Sequence, residues 1–201
     1  HNSTLINNYA NTVSSQGIMF SGTNYSNLIL NRGVTSYSQS IRLDISSYNY
    51  LVNNTGVSLV NEATGFTWGA RHNLAINHTA IGNNERGIYF SYDSNYNLLI
   101  NPNSTGEYAF QFSNSSHNTI IDCVYIGGDP YDVYHASSSL ISVNNTFINC
   151  SYDNEYVHSS NSINRKWHYG AYVNYTNGSA ANGATITATN TTGHTQFSVQ
   201  T

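Results

Sequence analysis

Residues 71–100 read RHNLAINHTAIGNNERGIYFSYDSNYNLLI and contain one complete unit of a repeat together with the start of the next. The segment NLAIN at 73–77 returns as NLLIN at 97–101, and a second apolar run, GIYFS at 87–91, lies between them. Self-similarity with a period of roughly 20–50 residues is the mark of stacked-repeat proteins. This stretch therefore predicts a solenoid.

The first motif occurs seven times. Its copies start at Ser3, Asn27, Asn49, Asn73, Asn97, Asn118 and Asn145, so the spacing varies around two dozen residues and is longest between the last two copies. The second motif follows at 17–20, 41–45, 65–68, 87–90 and 110–112. These short apolar runs lack helical periodicity. Strands that pair with their counterparts one unit later, about 4.8 Å away, form a parallel β-helix. We therefore predict an all-β fold of about seven such turns.

Alternation in the second motif predicts the direction of its side chains. The residues expected to point inward are Ile18, Phe20, Leu43, Ile45, Phe66, Trp68, Ile88, Phe90, Phe110 and Phe112. Those expected to point outward are Met19, Asp44, Thr67, Tyr89 and Gln111.

The first motif is apolar at two consecutive positions. The third position is Leu5, Ile29, Leu51, Ala75, Leu99, Ile120 and Phe147, and the fourth is Ile6, Leu30, Val52, Ile76, Ile100, Ile121 and Ile148. Adjacent strand residues face opposite ways, so the sheet would be apolar on both faces and covered by another subunit or a loop. Alternatively, a turn reorients one of the two positions inward.

Asparagine closes nearly every copy of the first motif. The closing residues are Asn7, Asn31, Asn53, Asn77, Asn101 and Asn149, with Asp122 in one unit. Asparagine tolerates left-handed backbone angles, and stacked amides bond to one another. We expect an internal amide ladder at a bend of the solenoid.

Composition limits the possible functions. Charged residues make up 8% of the 201-residue chain, against about 25% in typical domains, and the net charge is −4 with six Lys and Arg. This argues against a nucleic-acid partner. No apolar run is long enough for a membrane span in this segment. Because the chain begins at His1 without a signal peptide, we expect it to be processed or partial.

The two cysteines hold the same place in consecutive units. Cys123 and Cys150 each lie five residues after the start of their unit. Stacking would bring their Cα atoms to roughly 5 Å, within disulfide range, although two free buried thiols are the alternative. A disulfide would imply an oxidising, extracellular setting.

Eleven Asn-X-Ser/Thr sequons occur in the chain. A sequence rich in Asn, Ser and Thr also produces sequons by chance, and those of Asn53 and Asn77 fall in the expected internal ladder, where a glycan would not fit. The glycosylation candidates are Asn103, Asn114, Asn174 and Asn177.

The repeat fades beyond Ser151, which divides the chain into a β-helix at 1–160 and a C-terminal β segment at 161–201. Strands are expected in this segment at 171–175, 184–188 and 196–199, joined by Asn177-Gly178 and Thr192-Gly193 turns. Three strands are too few for a complete sandwich. The segment is therefore a partial sandwich, a cap, or strands donated to a neighbour.

The Asn-X-X-Ile-Asn and Gly-Ile-X-Phe units resemble the right-handed parallel β-helix of the pectate-lyase-like superfamily, over about residues 1–150. Within it they are similar to NosD-type repeats of secreted and surface proteins of methanogenic archaea. The tail, with NGATITA at 182–188, resembles the opening strands of immunoglobulin-like or carboxypeptidase-regulatory-like modules. The resemblance is specific for the fold and says little about function.

Residues suited to catalysis are sparse. Asp129, Asp132, Asp153 and Glu155 could gather near His135 and His158, but they read as ordinary loop acids. The signatures of polygalacturonases and pectate lyases are absent. His72 and His117 share a register two units apart, roughly 9.6 Å, too far to bind one ion. We expect no catalytic residue, no cofactor and no metal site. The tyrosines that could stack on sugars or form an interface are Tyr89, Tyr92, Tyr96, Tyr125, Tyr131 and Tyr134.

Together these features favour a structural protein of an archaeal cell envelope, an S-layer, sheath or filament subunit located at the cell surface. It would self-assemble with copies of itself through the ends of the β-helix and an apolar sheet face, without enzymatic activity. The alternative is an extracellular protein that binds or degrades polysaccharides, with surface glycans as partners.

Overall fold

The computed structural model describes residues 2–135, 139–168, 173–189 and 194–200. The chain divides into two compact units between Trp167 and His168. Within the described ranges there are strands, turns and bends, and no helix long and apolar enough to cross a membrane.

Short strands account for the regular structure. In chain order they are β1 (Thr4–Ile6), β2 (Tyr9–Thr12), β3 (Ile18–Ser21), β4 (Asn27–Ile29), β5 (Arg32–Thr35), β6 (Ile41–Asp44), β7 (Tyr50–Val52), β8 (Thr55–Ser58), β9 (Thr64–Thr67), β10 (Leu74–Ile76), β11 (Thr79–Gly82), β12 (Arg86–Ser91), β13 (Leu98–Ile100), β14 (Asn103–Ser113), β15 (Thr119–Ile121), β16 (Tyr125–His135), β17 (Asn145–Ile148), β18 (Glu155–Val157), β19 (Ile163–Lys166), β20 (Thr185–Thr189) and β21 (Thr195–Gln200).

The first unit is a parallel β-helix with three faces. Sheet 1 runs in the order β1-β4-β7-β10-β13-β15-β17-β19. Sheet 2 contains β2, β5, β8, β11 and the first parts of β14 and β16, and sheet 3 contains β3, β6, β9, β12, the last parts of β14 and β16, and β18. Each strand pairs in parallel with its counterpart one turn later. The predicted fold class is confirmed.

The register corrects the alignment of the second repeat. Leu5 pairs with Leu28 and Leu28 with Leu51, so these two intervals are equal, and the second unit starts at Ser26 rather than Asn27. Leu28 therefore points inward, whereas Ile29, which the sequence alignment placed at the third motif position with Leu5 and Leu51, lies on the outer face. The physical reason is that Leu30 adopts the left-handed conformation, with a φ of 57°, that Asn adopts in the neighbouring units.

The core is a stack of apolar side chains from successive turns. Phe66, Phe90 and Phe112 lie one above another, with ring centroids 4.9 and 5.1 Å apart. Most inward predictions are confirmed, but Ile45 and Trp68 are exposed. Both have positive φ angles and end their strands at a bend, which turns the side chain outward.

The internal amide ladder is formed by the residues that open the first motif, not by those that close it. Its buried members are Asn49, Asn73, Asn97, Asn118 and Asn145. Each of the first four uses its backbone N–H and its Nδ2 to donate to the Oδ1 of the next, at 2.9–3.1 Å. Each Nδ2 also donates to a backbone carbonyl inside the solenoid. This ladder satisfies buried polar groups at the bend before sheet 1.

The closing asparagines lie outside, contrary to the prediction. Asn53, Asn77 and Asn101 are at the bend between sheets 1 and 2 with φ angles of 52°. Asn77 Nδ2 donates to Asn53 Oδ1 at 3.0 Å, and Asn101 Nδ2 to Asn77 Oδ1 at 3.1 Å, so these amides form a second, solvent-facing ladder. In the corrected register Asn31 lies one residue after the bend, at the position equivalent to Asn54, and it is buried beside Asn54.

The disulfide joins Cys123 and Cys150, whose Cα atoms are 4.8 Å apart, close to the separation that stacking predicts. It links consecutive turns after β15 and β17. The bond therefore braces the turn with the 27-residue interval.

The boundary of the β-helix lies later than residue 160, because β19 pairs with β17 in sheet 1. In the second unit β20 and β21 form an antiparallel pair, and Gly178 N–H donates to Tyr175 O at the predicted Asn177-Gly178 turn. Of the predicted strand at 171–175, Ala171 and Tyr172 lie outside the described residues, as does the Thr192-Gly193 turn.

Candidate functional site

The outer face of sheet 1 carries two parallel columns of side chains. The isoleucine column, partly or largely exposed, contains Ile6, Ile29, Val52, Ile76, Ile100, Ile121 and Ile148. Beside it lie Thr4, Asn27, Tyr50, Leu74, Leu98, Thr119 and Thr146. Alternation in these strands is regular, so the interpretation in which a turn reorients one position inward is wrong.

An aromatic column borders this face on its N-terminal side. Its members are Tyr25, Tyr48, His72, Tyr96 and His117, each two residues before a strand of sheet 1. Successive ring centroids are 5.0–5.3 Å apart and the planes differ by 5–8°. His72 and His117 lie on opposite faces of Tyr96, which separates the two imidazoles. The sequence does hold a signal for this column, because each ring directly precedes the Ser or Asn at the start of the first motif.

The exposed asparagine ladder borders the same face on its other side. This corner column contains Asn7, Leu30, Asn53, Asn77, Asn101, Asp122 and Asn149. Among the described residues, two charged side chains belong to these columns. Asp122 is the carboxylate among the residues named, and Lys166 extends the isoleucine column at its end. We call the four columns together the sheet 1 face. It is flat, almost uncharged and roughly 30 Å long, as six steps of about 4.8 Å require.

The outer face of sheet 3 is charged instead. Arg42 pairs with Asp44 at 3.1 Å, and Arg86 lies 3.2 Å from Glu85 and 3.7 Å from Glu62. The Arg86 guanidinium also lies over the Tyr89 ring, 4.6 Å from its centroid. These arginines are thus already neutralised by neighbouring carboxylates.

A tyrosine cluster continues this face toward the last turns. Tyr108 stacks on Tyr134 with centroids 4.1 Å apart, and Tyr156 lies 5.5 Å from Tyr134 and 5.6 Å from Tyr131. A hydrogen bond with Glu107, followed by burial, raises the pKa of Tyr108 to about 12. The predicted tyrosine set does not form one surface. Tyr131, Tyr134 and Tyr89 lie on sheet 3, whereas Tyr92 stacks on Trp68, Tyr96 is in the aromatic column and Tyr125 is on sheet 2.

The predicted acidic group is largely structural. Asp132 is buried, and its carboxylate accepts hydrogen bonds from the N–H groups of Gly128, Asp153 and Asn154 at 2.7–3.1 Å. Glu155 accepts from the Tyr152 hydroxyl at 2.8 Å, and burial chiefly raises the pKa of that tyrosine.

Asp129, Asp132 and Asp153 do line one cavity of about 570 Å³, together with Gly82, Gly106 and Gly128 among other residues. His135 is not among the lining residues, because its ring is buried and lies 4.6 Å from that of Phe112. His158 bonds to Ser160. Within the described ranges no group of three His, Cys, Asp or Glu side chains could hold a metal ion.

The sequence did not reveal that two of the histidines, His78 and His135, are buried. His78 follows the buried Asn31 and Asn54 in a column that begins at the exposed Asn8, and its Nε2 lies 2.8 Å from Thr64 Oγ1. No described residue pairs with His78 Nδ1. Burial lowers the pKa of both histidines to about 4.

The glycosylation candidates differ in exposure. Asn174 and Asn177 are exposed, whereas Asn103 and Asn114 are partly buried, and Asn114 Nδ2 donates to Asp93 Oδ1 at 3.3 Å. Asn53 and Asn77 are exposed, although their place in the expected internal ladder had argued against them as glycosylation sites.

No protein-family model and no curated protein sequence matches this chain. Among solved structures, the crystal structure of the periplasmic alginate epimerase AlgG is similar, with a TM-score of 0.62 and 16% identity. The match covers 80% of this chain and 43% of that protein, so the chain spans less than half of its length. The similarity supports the parallel β-helix fold.

Proposed function

We propose that this protein is an exported structural component of a cell envelope, an S-layer, sheath or filament subunit, and that copies dock through the sheet 1 face. The observation that carries the proposal is the uncharged, four-column face itself. Protein interfaces are depleted of charged residues at their centre and enriched in aromatic ones. Exposed apolar side chains that follow one another over several turns, as in the isoleucine column, mark an interaction site.

The area is adequate for contact between two copies. Tyr25, Tyr48, Tyr50 and Tyr96 are 39–62% exposed. With about 150–250 Å² for each tyrosine, their exposed parts supply roughly 400 Å². Further exposed area comes from Ile6 and Leu30, each more than half exposed, and from the rest of the isoleucine column. Together these residues bring the exposed area of the face toward the roughly 800 Å² that each partner buries in a standard interface.

Two further observations support this proposal. The Cys123–Cys150 disulfide fits an oxidising compartment, and the structurally similar alginate epimerase is periplasmic. The outermost strands β1 and β19 each pair on one side within sheet 1. The backbone groups along these edges that pair with no strand of the described residues would suit end-to-end pairing with another copy.

The decisive experiment places charge in the centre of the sheet 1 face. Ile76→Lys combined with Ile100→Lys should shift the protein from assemblies to monomers in sedimentation velocity, and should abolish ordered arrays in electron microscopy. Ile81→Lys is the matched control, because Ile81 is a partly exposed isoleucine on the outside of sheet 2. Unglycosylated wild-type protein that stays monomeric at all concentrations, with no arrays, contradicts the proposal.

A second candidate, glycan binding, is favoured by the outer face of sheet 3. Its tyrosine cluster and its ion-paired arginines offer ring faces and hydrogen-bonding groups along several turns. The similar solved structure is that of an epimerase of alginate, a polysaccharide. Tyr134→Ala combined with Tyr156→Ala should abolish binding of alginate or neutral oligosaccharides in calorimetry, whereas Tyr50→Ala on sheet 1 should leave it intact. Absence of heat with every glycan tested argues against this role.

A further inference from the structure

We propose that Asn53 is an N-glycosylation site and that a sugar attached there blocks docking through the sheet 1 face. The sequon Asn53-Asn54-Thr55 spans the bend between β7 and β8. The modification stands on geometry alone, whereas the blocking effect rests on the proposed function.

The bend places the two essential side chains on the same side. Asn53 is exposed, and Thr55 is partly exposed at the start of β8. Asn54 between them is buried, and its Nδ2 donates to Leu28 O at 2.7 Å. Because the middle residue points inward, the acceptor amide and the threonine hydroxyl both face outward.

The side-chain nitrogen of Asn53 is not engaged in the exposed ladder. Each ladder Nδ2 donates to the Oδ1 one turn earlier, as Asn77 does to Asn53. The corresponding residue one turn before Asn53 is Leu30, which offers no side-chain acceptor. No described residue accepts a hydrogen bond from Asn53 Nδ2, so this nitrogen faces solvent.

Neighbouring sequons lack this combination. In Asn24-Tyr25-Ser26 the serine is buried, and Asn149 Nδ2 donates to Asp122 Oδ1 at 2.7 Å. The sequon of Asn77 has the same geometry as that of Asn53, but its Nδ2 is already hydrogen-bonded. Asn77 is therefore the internal comparison for Asn53.

The modification is a group transfer with a saccharide carried on a lipid phosphate as donor, catalysed by a transferase of the exporting cell. Asn53 Nδ2 attacks the anomeric carbon, and a carbon–nitrogen bond forms. The bond from that carbon to the phosphate oxygen breaks, the lipid phosphate leaves, and the nitrogen loses one proton. Asn53 directly follows Val52 of the isoleucine column, so the sugar would be attached at the edge of the sheet 1 face, beside that column.

Trypsin separates the two sequons cleanly. Cleavage after Arg42, Arg71 and Arg86 gives peptides 43–71 and 72–86, and each contains one sequon. In protein purified from the cells that produce it, mass spectrometry should find a saccharide on peptide 43–71 that Asn53→Gln or Thr55→Ala removes and Thr55→Ser retains. Peptide 72–86 should be modified several-fold less. An unmodified peptide 43–71, or a saccharide confined to 72–86, overturns the site.

Sedimentation velocity then tests the blocking effect. Asn53→Gln should self-associate at least several-fold more tightly than the glycosylated protein, and adding Ile76→Lys should reverse the gain. Equal association of glycosylated and unglycosylated protein, with Ile76→Lys still disruptive, overturns the blocking effect and leaves the proposed function standing. If neither form associates, the proposed function fails, while the peptide result still decides the modification.

Discussion

Tyr48 and His72 are stacked, with ring centroids 5.0 Å apart and planes 6° apart, although one full turn of the β-helix separates them along the chain. The contact exists because both residues take the left-handed conformation at the same bend of consecutive turns. Residues at the same register position of successive turns share a backbone conformation, so their side chains point the same way and contact one another. This repetition produces the columns of the β-helix.

The aromatic column should contribute to stability. Tyr96→Ala removes the contacts with His72 and His117, and stacked pairs are worth about 0.5–1.5 kcal/mol each. We expect a loss of about 1–2 kcal/mol in the free energy of unfolding, measured by urea denaturation. Tyr37→Ala, at a similarly exposed tyrosine outside the column, should change it by less than about 0.5 kcal/mol. Equal effects of the two substitutions would show that stacking contributes nothing.

The internal amide ladder should be far more sensitive than the exposed one. Asn97→Ala removes the acceptor for Asn73 and the donor to Ala70 O, leaving buried polar groups unpaired. The expected cost is about 3 kcal/mol. Asn101→Gly in the exposed ladder is the control, because water replaces the lost bond and glycine adopts the φ of 52°, and it should cost less than about 1 kcal/mol. Thermal denaturation of both variants measures the difference, and a reversed order would contradict the assignment of the buried ladder.

Acid should destabilise the β-helix through His78 and His135. Their pKa values fall to about 4 on folding, below the ordinary value of 6.5. The free energy of unfolding is therefore not reduced by these histidines above about pH 6.5, where both rings are neutral in the folded and the unfolded chain. It declines as the pH falls toward 4, because the unfolded chain takes up protons that the folded chain does not, by up to about 1.4 kcal/mol per pH unit for each histidine.

His78→Asn tests this dependence, since asparagine also occupies the equivalent positions 8, 31 and 54. The variant should show a shallower loss of stability between pH 6.5 and 4 in urea titrations. His168→Asn, at an exposed histidine, is the control. An unchanged slope in His78→Asn would show that His78 is not the group responsible.

Reduction of the disulfide should destabilise the first unit. Closing a loop with a sequence separation of 27 residues restricts the unfolded chain by about 3.5 kcal/mol. Cys123→Ser combined with Cys150→Ser should lower the free energy of unfolding by about that amount, and reductant should then have no further effect. A double variant as stable as the oxidised protein would show that the disulfide does not stabilise the first unit.

The repeat spacing predicted the fold because apolar runs at a near-constant interval admit few architectures. It did not predict which residue lies at each bend. The pattern NLILN at 27–31 matches the other copies by letters, yet Leu30 adopts the left-handed angle that Asn adopts elsewhere, so the true register is shifted by one residue. Residue identity alone does not reveal a backbone angle.

The same limitation explains the errors at Ile45 and Trp68. Both extend an alternating pattern, but the strand ends before them, and a positive φ turns each side chain to solvent. The candidate surfaces were harder still to predict. The aromatic column requires five rings to share one bend, and the charged face of sheet 3 requires the pairing of Arg86 with Glu62, residues from different turns.

Because the columns of its central turns continue from one turn to the next, the β-helix has no unique middle. Removal of residues 74–97 would join Asn73 directly to Leu98, whose partner in register is Leu74, and would leave each row of side chains unbroken. Gene duplication or loss of such a segment thus changes the length of the rod by one increment of about 4.8 Å without redesigning its interior. Length is the property that this architecture lets evolution adjust most freely.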